Sequence, residues 1–209
     1  MPNLFPIMMW CMYASALTPA VSRPPEHHIF FLGRASTVKS SLIAKEFNIT
    51  DSLISHVGIG IIEHGALRIY HVEDKAGNAF SACTLDEFLS FGIFYYCVYS
   101  LPLSSGSLER IVNLLKEHPP VKFDKNLRLN NDDLYCSEFA YQILTSVEPE
   151  KFLQPPVTKK VTDQFARSYL GRDSISYIPV DFFLMYPGIR KIVSAFTSND
   201  TTCRTPLED

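Results

Sequence analysis

Hydrophobic and polar residues follow two periods along this chain, and together they predict strands and helices in mixed order. Runs rich in β-branched and aromatic residues predict strands near His28–Leu32, Ser55–Ile62, Leu67–Glu73 and Phe94–Leu101. Stretches with a helical period predict helices at Ser36–Phe47, at Ser107–His118 and from Cys136 to the residue before Pro149. Because strands adjoin in hairpins while helices lie elsewhere, we expect an α+β fold with a mainly antiparallel sheet packed against helices.

Weaker signals fill the remaining chain. The run Thr84-Leu85-Asp86-Glu87 has the form of a capping box and predicts a short helix to about Phe91. Pro155-Pro156 predicts an irregular link, and two later apolar runs fit either strands or short helices, namely Tyr177–Val180 and Ile189–Ser194.

The predicted strand that carries His56 has two unlike faces. Side chains alternate along a strand, so the core-facing positions are Val57, Ile59 and Ile61, and the opposite face carries His56, Gly58, Gly60 and Ile62. Two glycines weaken a strand and fit a place where a packed helix or a substrate chain approaches closely. Gly58 and Gly60 are therefore candidate substrate-contact positions.

The next strand is expected to bring a carboxylate to His56. A tight turn at His64-Gly65 makes the numbers of paired residues sum to about 129, so that His56 faces Glu73 at a Cβ separation of roughly 5 Å. Glu73 is thus a candidate to orient the imidazole. A register slip of one residue would leave Val72 opposite His56 instead.

A cysteine opens the helix that follows the polar turn Asn130–Asp133. Free backbone N–H groups and the helix dipole favour the thiolate of Cys136, and a neighbouring His56 would lower the thiol pKa further. Cysteine and histidine together suffice for covalent acyl transfer. Cys136 also begins the apolar stripe of its helix, so a buried structural thiol is the alternative interpretation.

Two segments resemble a known family. Ser55–Ile59 on a strand, followed some eighty residues later by Leu134–Phe139 at a helix start, is similar to the YiiX-like group of circularly permuted papain-fold cysteine hydrolases, relatives of NlpC-type cell-wall peptidases. The histidine precedes the cysteine, which is the permuted order. The likeness extends from about residue 27 to about residue 195 and includes the opening strand Ile29–Gly33 and the predicted helix after it.

The resemblance implies a role for each matching residue. Cys136 would be the nucleophile, and His56 the general base that later acts as the acid. The third polar member falls near Glu73, with His71 and Asp74 as alternatives. Glu138 belongs to the Cys-Ser-Glu signature, where it either caps the helix or touches the substrate.

The expected chemistry is attack of the Cys136 thiolate on an amide or ester carbonyl. The backbone N–H groups of Cys136 and Ser137 are candidate donors to the oxyanion, and Tyr135 either adds a contact or packs under the helix. The expected substrate is a small peptide, a peptidoglycan fragment or an acylated molecule. Two alternatives remain: a lipid acyltransferase or esterase resembling lecithin retinol acyltransferase, and a non-catalytic module that binds a peptide or an acyl chain.

Composition narrows the class of protein. The 209 residues are 46% hydrophobic, which suits one globular domain over residues 23–197 with a flexible tail at 198–209. A formal charge of −3 without a dense Lys/Arg cluster argues against a nucleic-acid partner. The five cysteines have no Cys-x-x-Cys spacing, and adjacent His27 and His28 would face opposite ways, so we expect no metal site and no cofactor. A Gly-x-Ser-x-Gly serine-hydrolase elbow is absent.

The N-terminus bears on location. Residues 1–22 lack charged side chains and contain the apolar segment Leu4–Tyr13 followed by small residues, which fits a signal peptide. This predicts export to the periplasm or cell envelope, with membrane association conceivable. The missing basic residue and the interrupting Pro6 leave a cytoplasmic location as the alternative.

Overall fold

In the part of the chain that the structure describes, the main sheet consists of six antiparallel strands. The structure, a computed structural model, describes residues 27–36, 46–90 and 92–197. The strands of the main sheet are β1 (His28–Ser36), β2 (His56–Glu63), β3 (Ala66–Val72), β4 (Phe80–Cys83), β5 (Ile93–Pro102) and β8 (Arg190–Phe196). Their spatial order is β4-β3-β2-β1-β5-β8, which puts β1 and β2 at the centre. A separate hairpin pairs β6 (Val157–Lys160) with β7 (Ser174–Tyr177).

Helices connect and cover these strands. The α-helices in the described residues are α1 (Leu85–Phe88), α2 (Ser105–Lys116), α3 (Cys136–Val147), α4 (Pro149–Phe152) and α5 (Gln164–Leu170), with a 3₁₀ helix at Phe182–Met185. Thus the predicted α+β class with a mainly antiparallel sheet is confirmed. In the described residues, no helix is long and apolar enough to span a membrane.

The hairpin of β2 and β3 has the predicted register. Ile62 pairs with Leu67 and Ile59 with Tyr70, so each pair sums to 129. His64 and Gly65 both adopt positive φ angles, 50° and 82°, as a two-residue turn with the right twist requires. This register brings the start of β2 beside the end of β3, where the histidines lie.

The two sides of the sheet bury separate apolar clusters. The larger cluster packs α3 onto the face of β2 that carries Val57, Ile59 and Ile61, all at most 2% exposed. The smaller cluster lies on the opposite face, where α1 covers it with Phe88. His56 belongs to this second side of the sheet, because it alternates with Val57.

Neighbouring side chains fill the space beside Gly58 and Gly60. A Cβ atom at Gly58 would lie 2.8 Å from Ile69 Cγ2, and one at Gly60 would lie 2.6 Å from Leu32 Cδ1. The close approach predicted for these glycines therefore comes from adjacent strands. Neither glycine lines the cavity described below, which corrects the expectation that they floor a substrate groove.

Several element boundaries differ from those predicted. Ser36 ends β1 and does not begin a helix, whereas Glu46 and Phe47 at the end of that predicted helix are helical; its residues 37–45 lie outside the described residues. The capping box at Thr84 is present, although α1 ends at Phe88. Five short elements were not predicted, namely β4, α4, β6, α5 and the 3₁₀ helix, and β7 ends at Tyr177, where the predicted late run begins. The predicted signal peptide and the tail at 198–209 also lie outside the described residues, so export stays a prediction.

We expect Gly60→Ala to destabilise the protein by about 1–3 kcal/mol, because the added methyl group overlaps Leu32 and Leu67 in the packed second cluster. The measurement is urea unfolding followed by circular dichroism. Gly106→Ala in α2 is the matched control, since nothing lies within 4 Å of its Cβ position. That change should be neutral or stabilise by about 0.5–1 kcal/mol. Equal effects of the two substitutions would contradict the packing described here.

Candidate active site

Cys136 lies at the first position of α3, pressed against the start of β2. The residue is 6% exposed, and Tyr135 precedes it as the N-cap without a side-chain cap. The backbone N–H groups of Val57 and Ser137 face the sulfur, as does that of Cys136 itself. Three N–H groups thus converge at one point because a helix N-terminus meets a strand there.

Burial nonetheless raises the pKa of the Cys136 thiol. Loss of solvent outweighs the lowering effect of the N–H groups of Val57 and Ser137 and of the positive charge on Arg34. The predicted depression of this pKa is therefore wrong for the free protein. The thiol rests neutral at neutral pH and needs a base in order to attack.

His56 contacts a second histidine. Its Nε2 lies 2.9 Å from Nδ1 of His71, and the two rings stand nearly perpendicular at 82°. The ring of Phe88 packs against both imidazoles, with centroids 5.7 Å from His56 and 5.3 Å from His71. The pair is thus held between β2, β3 and α1.

Both histidines are neutral in this setting. Burial, followed by the charge of Arg34, holds the pKa of His56 well below its usual value. Burial also lowers the pKa of His71 to about 4, although Glu73 acts in the opposite direction. A neutral imidazole carries one free lone pair and is a competent general base.

Glu73 lies against Arg34. Its Oε1 accepts from the Arg34 guanidinium at 2.5 Å, and its Oε2 lies 3.2 Å from Lys75 Nζ. Arg34 is paired with His56 across β1 and β2, is only 8% exposed, and stacks on Phe88 at 4.5 Å. The carboxylate at the predicted register position therefore meets the guanidinium, because a charge-assisted bond is stronger than one to a neutral imidazole.

One cavity of about 400 Å³ contains both Cys136 and His56 on its wall. Its polar lining includes Arg34, Ser55, Glu73 and Asp74. Its apolar and aromatic lining includes Phe47, Phe123, Leu127, Tyr169, Tyr177, Ile178 and Val180. The cavity therefore offers both polar and apolar groups to a molecule that reaches the thiol.

Tyr135 and Ser137 are tied to the segment at Ile178. The Tyr135 hydroxyl accepts from the Ile178 backbone N–H at 2.8 Å, and the Ser137 hydroxyl donates to the Ile178 carbonyl at 2.7 Å. These two bonds fasten the start of α3 to the chain that follows β7. Tyr135 is buried at 2% exposure, and both Tyr135 and Ser137 line the cavity, where the backbone N–H of Ser137 is directed at the sulfur.

Glu138 faces the protein interior beneath the loop before α3. It is 2% exposed, and the backbone N–H groups of Asn130 and Tyr135 lie close to its carboxylate. Burial and the nearby Asp124 carboxylate raise its pKa to about 7. Of the two roles that the sequence left open, the position of Glu138 fits the support of the helix start, and the residue is not part of the cavity wall.

Two residues of this site were missed or ranked second in the sequence. His71 was an alternative to Glu73, and Arg34 was not considered. Arg34 lies on β1, which pairs with the edge of β2 opposite to β3. Only the pairing of β1 with β2 places Arg34 beside His56. The observation that a lone arginine interrupts the apolar run of β1 was the available signal.

Comparison with known proteins identifies the fold. No protein-family model and no curated protein sequence matches the chain. The crystal structure of the metalloprotein yiiX from Escherichia coli O157:H7 (DUF1105) matches with a TM-score of 0.63 and 12% sequence identity, over 82% of this chain and 98% of that chain. The chain therefore has a yiiX-like fold.

His71→Gln should flatten the pH dependence of stability. A folded-state pKa of about 4 means that the unfolded chain binds a proton first, so the wild type loses stability as the pH falls from 6.5 to 4. The contribution of His71 to this loss is about 3 kcal/mol. The measurement is the slope of unfolding free energy against pH, and equal slopes in variant and wild type would contradict the burial of a neutral His71.

Glu138→Gln is the control, because Glu138 changes the stability with pH in the direction opposite to His71. The raised pKa of Glu138 means that the folded protein keeps its proton longer, so this residue costs stability as the pH rises from 4.5 to 7. The variant should therefore gain stability relative to the wild type over that range.

Proposed function

We propose that this protein is a cysteine hydrolase that cleaves an amide or ester bond through a thioester on Cys136, with His56 as base and then acid. The observation that carries this proposal is the cavity in which a thiol faced by three backbone N–H groups shares the wall with a neutral imidazole. A thiol that served only packing would not need an open cavity with a base beside it.

The proposed reaction begins from a neutral thiol and a neutral imidazole. His71 occupies the Nε2 side of His56, which leaves Nδ1 to take the thiol proton. The thiolate attacks the carbonyl carbon, and the backbone N–H groups of Cys136 and Ser137 stabilise the oxyanion. His56 gives its proton to the leaving amine or alcohol. It then takes a proton from the water that attacks the thioester and passes this proton to the departing sulfur, which frees the acid and the Cys136 thiol.

We assign the orientation of His56 to His71. The 2.9 Å contact between their rings is the direct one, whereas Glu73 bonds to Arg34. Glu73 then acts through the charge of Arg34 and through His71, where its carboxylate opposes the lowering of the pKa by burial. Asp74 lies on the cavity wall, where its Oδ2 contacts Lys125 Nζ at 2.9 Å.

The permuted papain-like architecture belongs to the same proposal. A cysteine at the N-terminus of a helix packed on an antiparallel sheet, with the histidine earlier in the chain, is consistent with a permuted relative of NlpC-type peptidases. The yiiX-like fold supports it, and the order His56 before Cys136 is the permuted one.

A metal ion does not fit the residues of this site. The solved yiiX protein is described as a metalloprotein. In this chain, no group of three or more His, Cys, Asp or Glu within residues 27–36, 46–90 and 92–197 could hold a metal ion. Both nitrogens of His71 face protein atoms, at 2.9 Å from His56 and 3.2 Å from Ser81. The proposed reaction therefore uses the thiol and imidazole alone.

The mixed polar and apolar lining of the cavity suits a substrate with an apolar part and a polar group. A small peptide, a peptidoglycan fragment and an acylated molecule each meet this description. The burial of Cys136 favours one other function, a non-catalytic module that holds a peptide or acyl chain over an inert thiol. Turnover distinguishes the two functions.

The test is hydrolysis of p-nitrophenyl acetate and p-nitrophenyl butyrate. Cys136→Ala should reduce the rate to that of buffer, and His56→Ala should reduce it by about 10²-fold or more because the base is lost. Cys97→Ala is the matched control, since this buried thiol lies outside the thiol cavity, and the folded variant should keep the wild-type rate. Hydrolysis that survives Cys136→Ala would refute the proposal.

A further inference from the structure

We infer that Ser81 is a positioning residue that fixes the tautomer of the histidine pair, so that His56 presents an unprotonated Nδ1 to Cys136. This inference rests on the proposed function. Ser81 lies on β4 directly opposite His71 of β3, and its Oγ is 3.2 Å from His71 Nε2. It is therefore the next link beyond His71, on the side away from His56.

The direction of these hydrogen bonds follows from what the reaction requires. His56 can accept the thiol proton at Nδ1 only if its own proton is on Nε2. Nε2–H then donates to His71 Nδ1, which must be unprotonated. His71 consequently carries its proton on Nε2 and needs an acceptor there. The opposite direction would place the proton on Nδ1 of both rings and leave His56 with no lone pair toward the cavity.

Ser81 is the stronger of two acceptors available at His71 Nε2. Cys83 Sγ lies 3.4 Å from the same nitrogen, but a neutral thiol sulfur accepts weakly. Burial raises the pKa of Cys83, so its sulfur carries no charge at neutral pH. Lys75 Nζ lies 3.5 Å from Ser81 Oγ and donates to one lone pair of this oxygen, and the second lone pair can accept from His71 Nε2–H.

The surroundings of Ser81 agree with this direction. Ser81 and His71 border a second cavity of about 440 Å³, whose wall also contains Arg34, Lys75 and Glu73. Two cations there oppose protonation of the imidazole, and burial adds to their effect. The pair therefore shares two protons among four ring nitrogens, and the hydroxyl decides which two.

The test is ¹⁵N NMR of the imidazole nitrogens at pH 7, which reports the protonated nitrogen of each ring. The six histidines can be assigned through single substitutions. In the wild type, both His56 and His71 should be protonated on Nε2. Ser81→Ala should shift part of the His71 population to the Nδ1 tautomer, whereas Ser81→Thr, which keeps the hydroxyl, should restore the wild-type spectrum. Cys83→Ala should leave it unchanged.

Hydrolysis supplies the second readout. Ser81→Ala should lower the rate by about tenfold, the loss expected when one ordinary hydrogen bond no longer fixes the ring, and Ser81→Thr should recover it. A wild-type His71 protonated on Nδ1, or an Ser81→Ala variant with unchanged tautomer and rate, would overturn the inference. Failure of the proposed function would be detected separately, because hydrolysis would then persist in the Cys136→Ala variant.

Discussion

The site depends on one packing contact, in which the first turn of α3 presses against the first residues of β2. This contact buries Cys136, which is 6% exposed, and turns the Val57 N–H toward its sulfur. Burial disfavours the charged forms of both reacting groups, so the pKa of the Cys136 thiol rises while the pKa of His56 falls. A nucleophile and base that both rest neutral are the direct consequence, and the proton then moves only when a substrate is attacked.

The remaining polar groups of the site follow from the same sheet geometry. Antiparallel pairing brings Arg34, His56 and His71 to neighbouring positions on one face, and α1 covers them with Phe88. The charge of Arg34 is neutralised by Glu73 and not by the histidines. Because Glu73 compensates the buried charge of Arg34, both imidazoles stay neutral beside this cation.

Sequence periodicity predicted the central strands and the helix of Cys136 well, because each has a long, regular pattern. The His64-Gly65 turn fixed the register of β2 and β3 at the predicted pairs. The choice of His71 over Glu73 as the partner of His56 could not be made from that hairpin alone, since Arg34 reaches the Glu73 carboxylate from a third strand. α5 was missed although Asp163 caps its start and Gly171 ends it with a φ of 64°, signals that were present in the sequence.

The most direct test of the neutral pair is the pH dependence of Cys136 alkylation by iodoacetamide, resolved by site with mass spectrometry, in wild type and His56→Ala. The thiol of the folded wild type should be modified with an apparent pKa above the free-cysteine value of about 8.5, and removal of His56 should not raise it further. An apparent pKa below 7 that rises in His56→Ala would show a preformed ion pair, and a Cys136 that reacts only on unfolding would show an inert core thiol. Each of these two results would contradict the account.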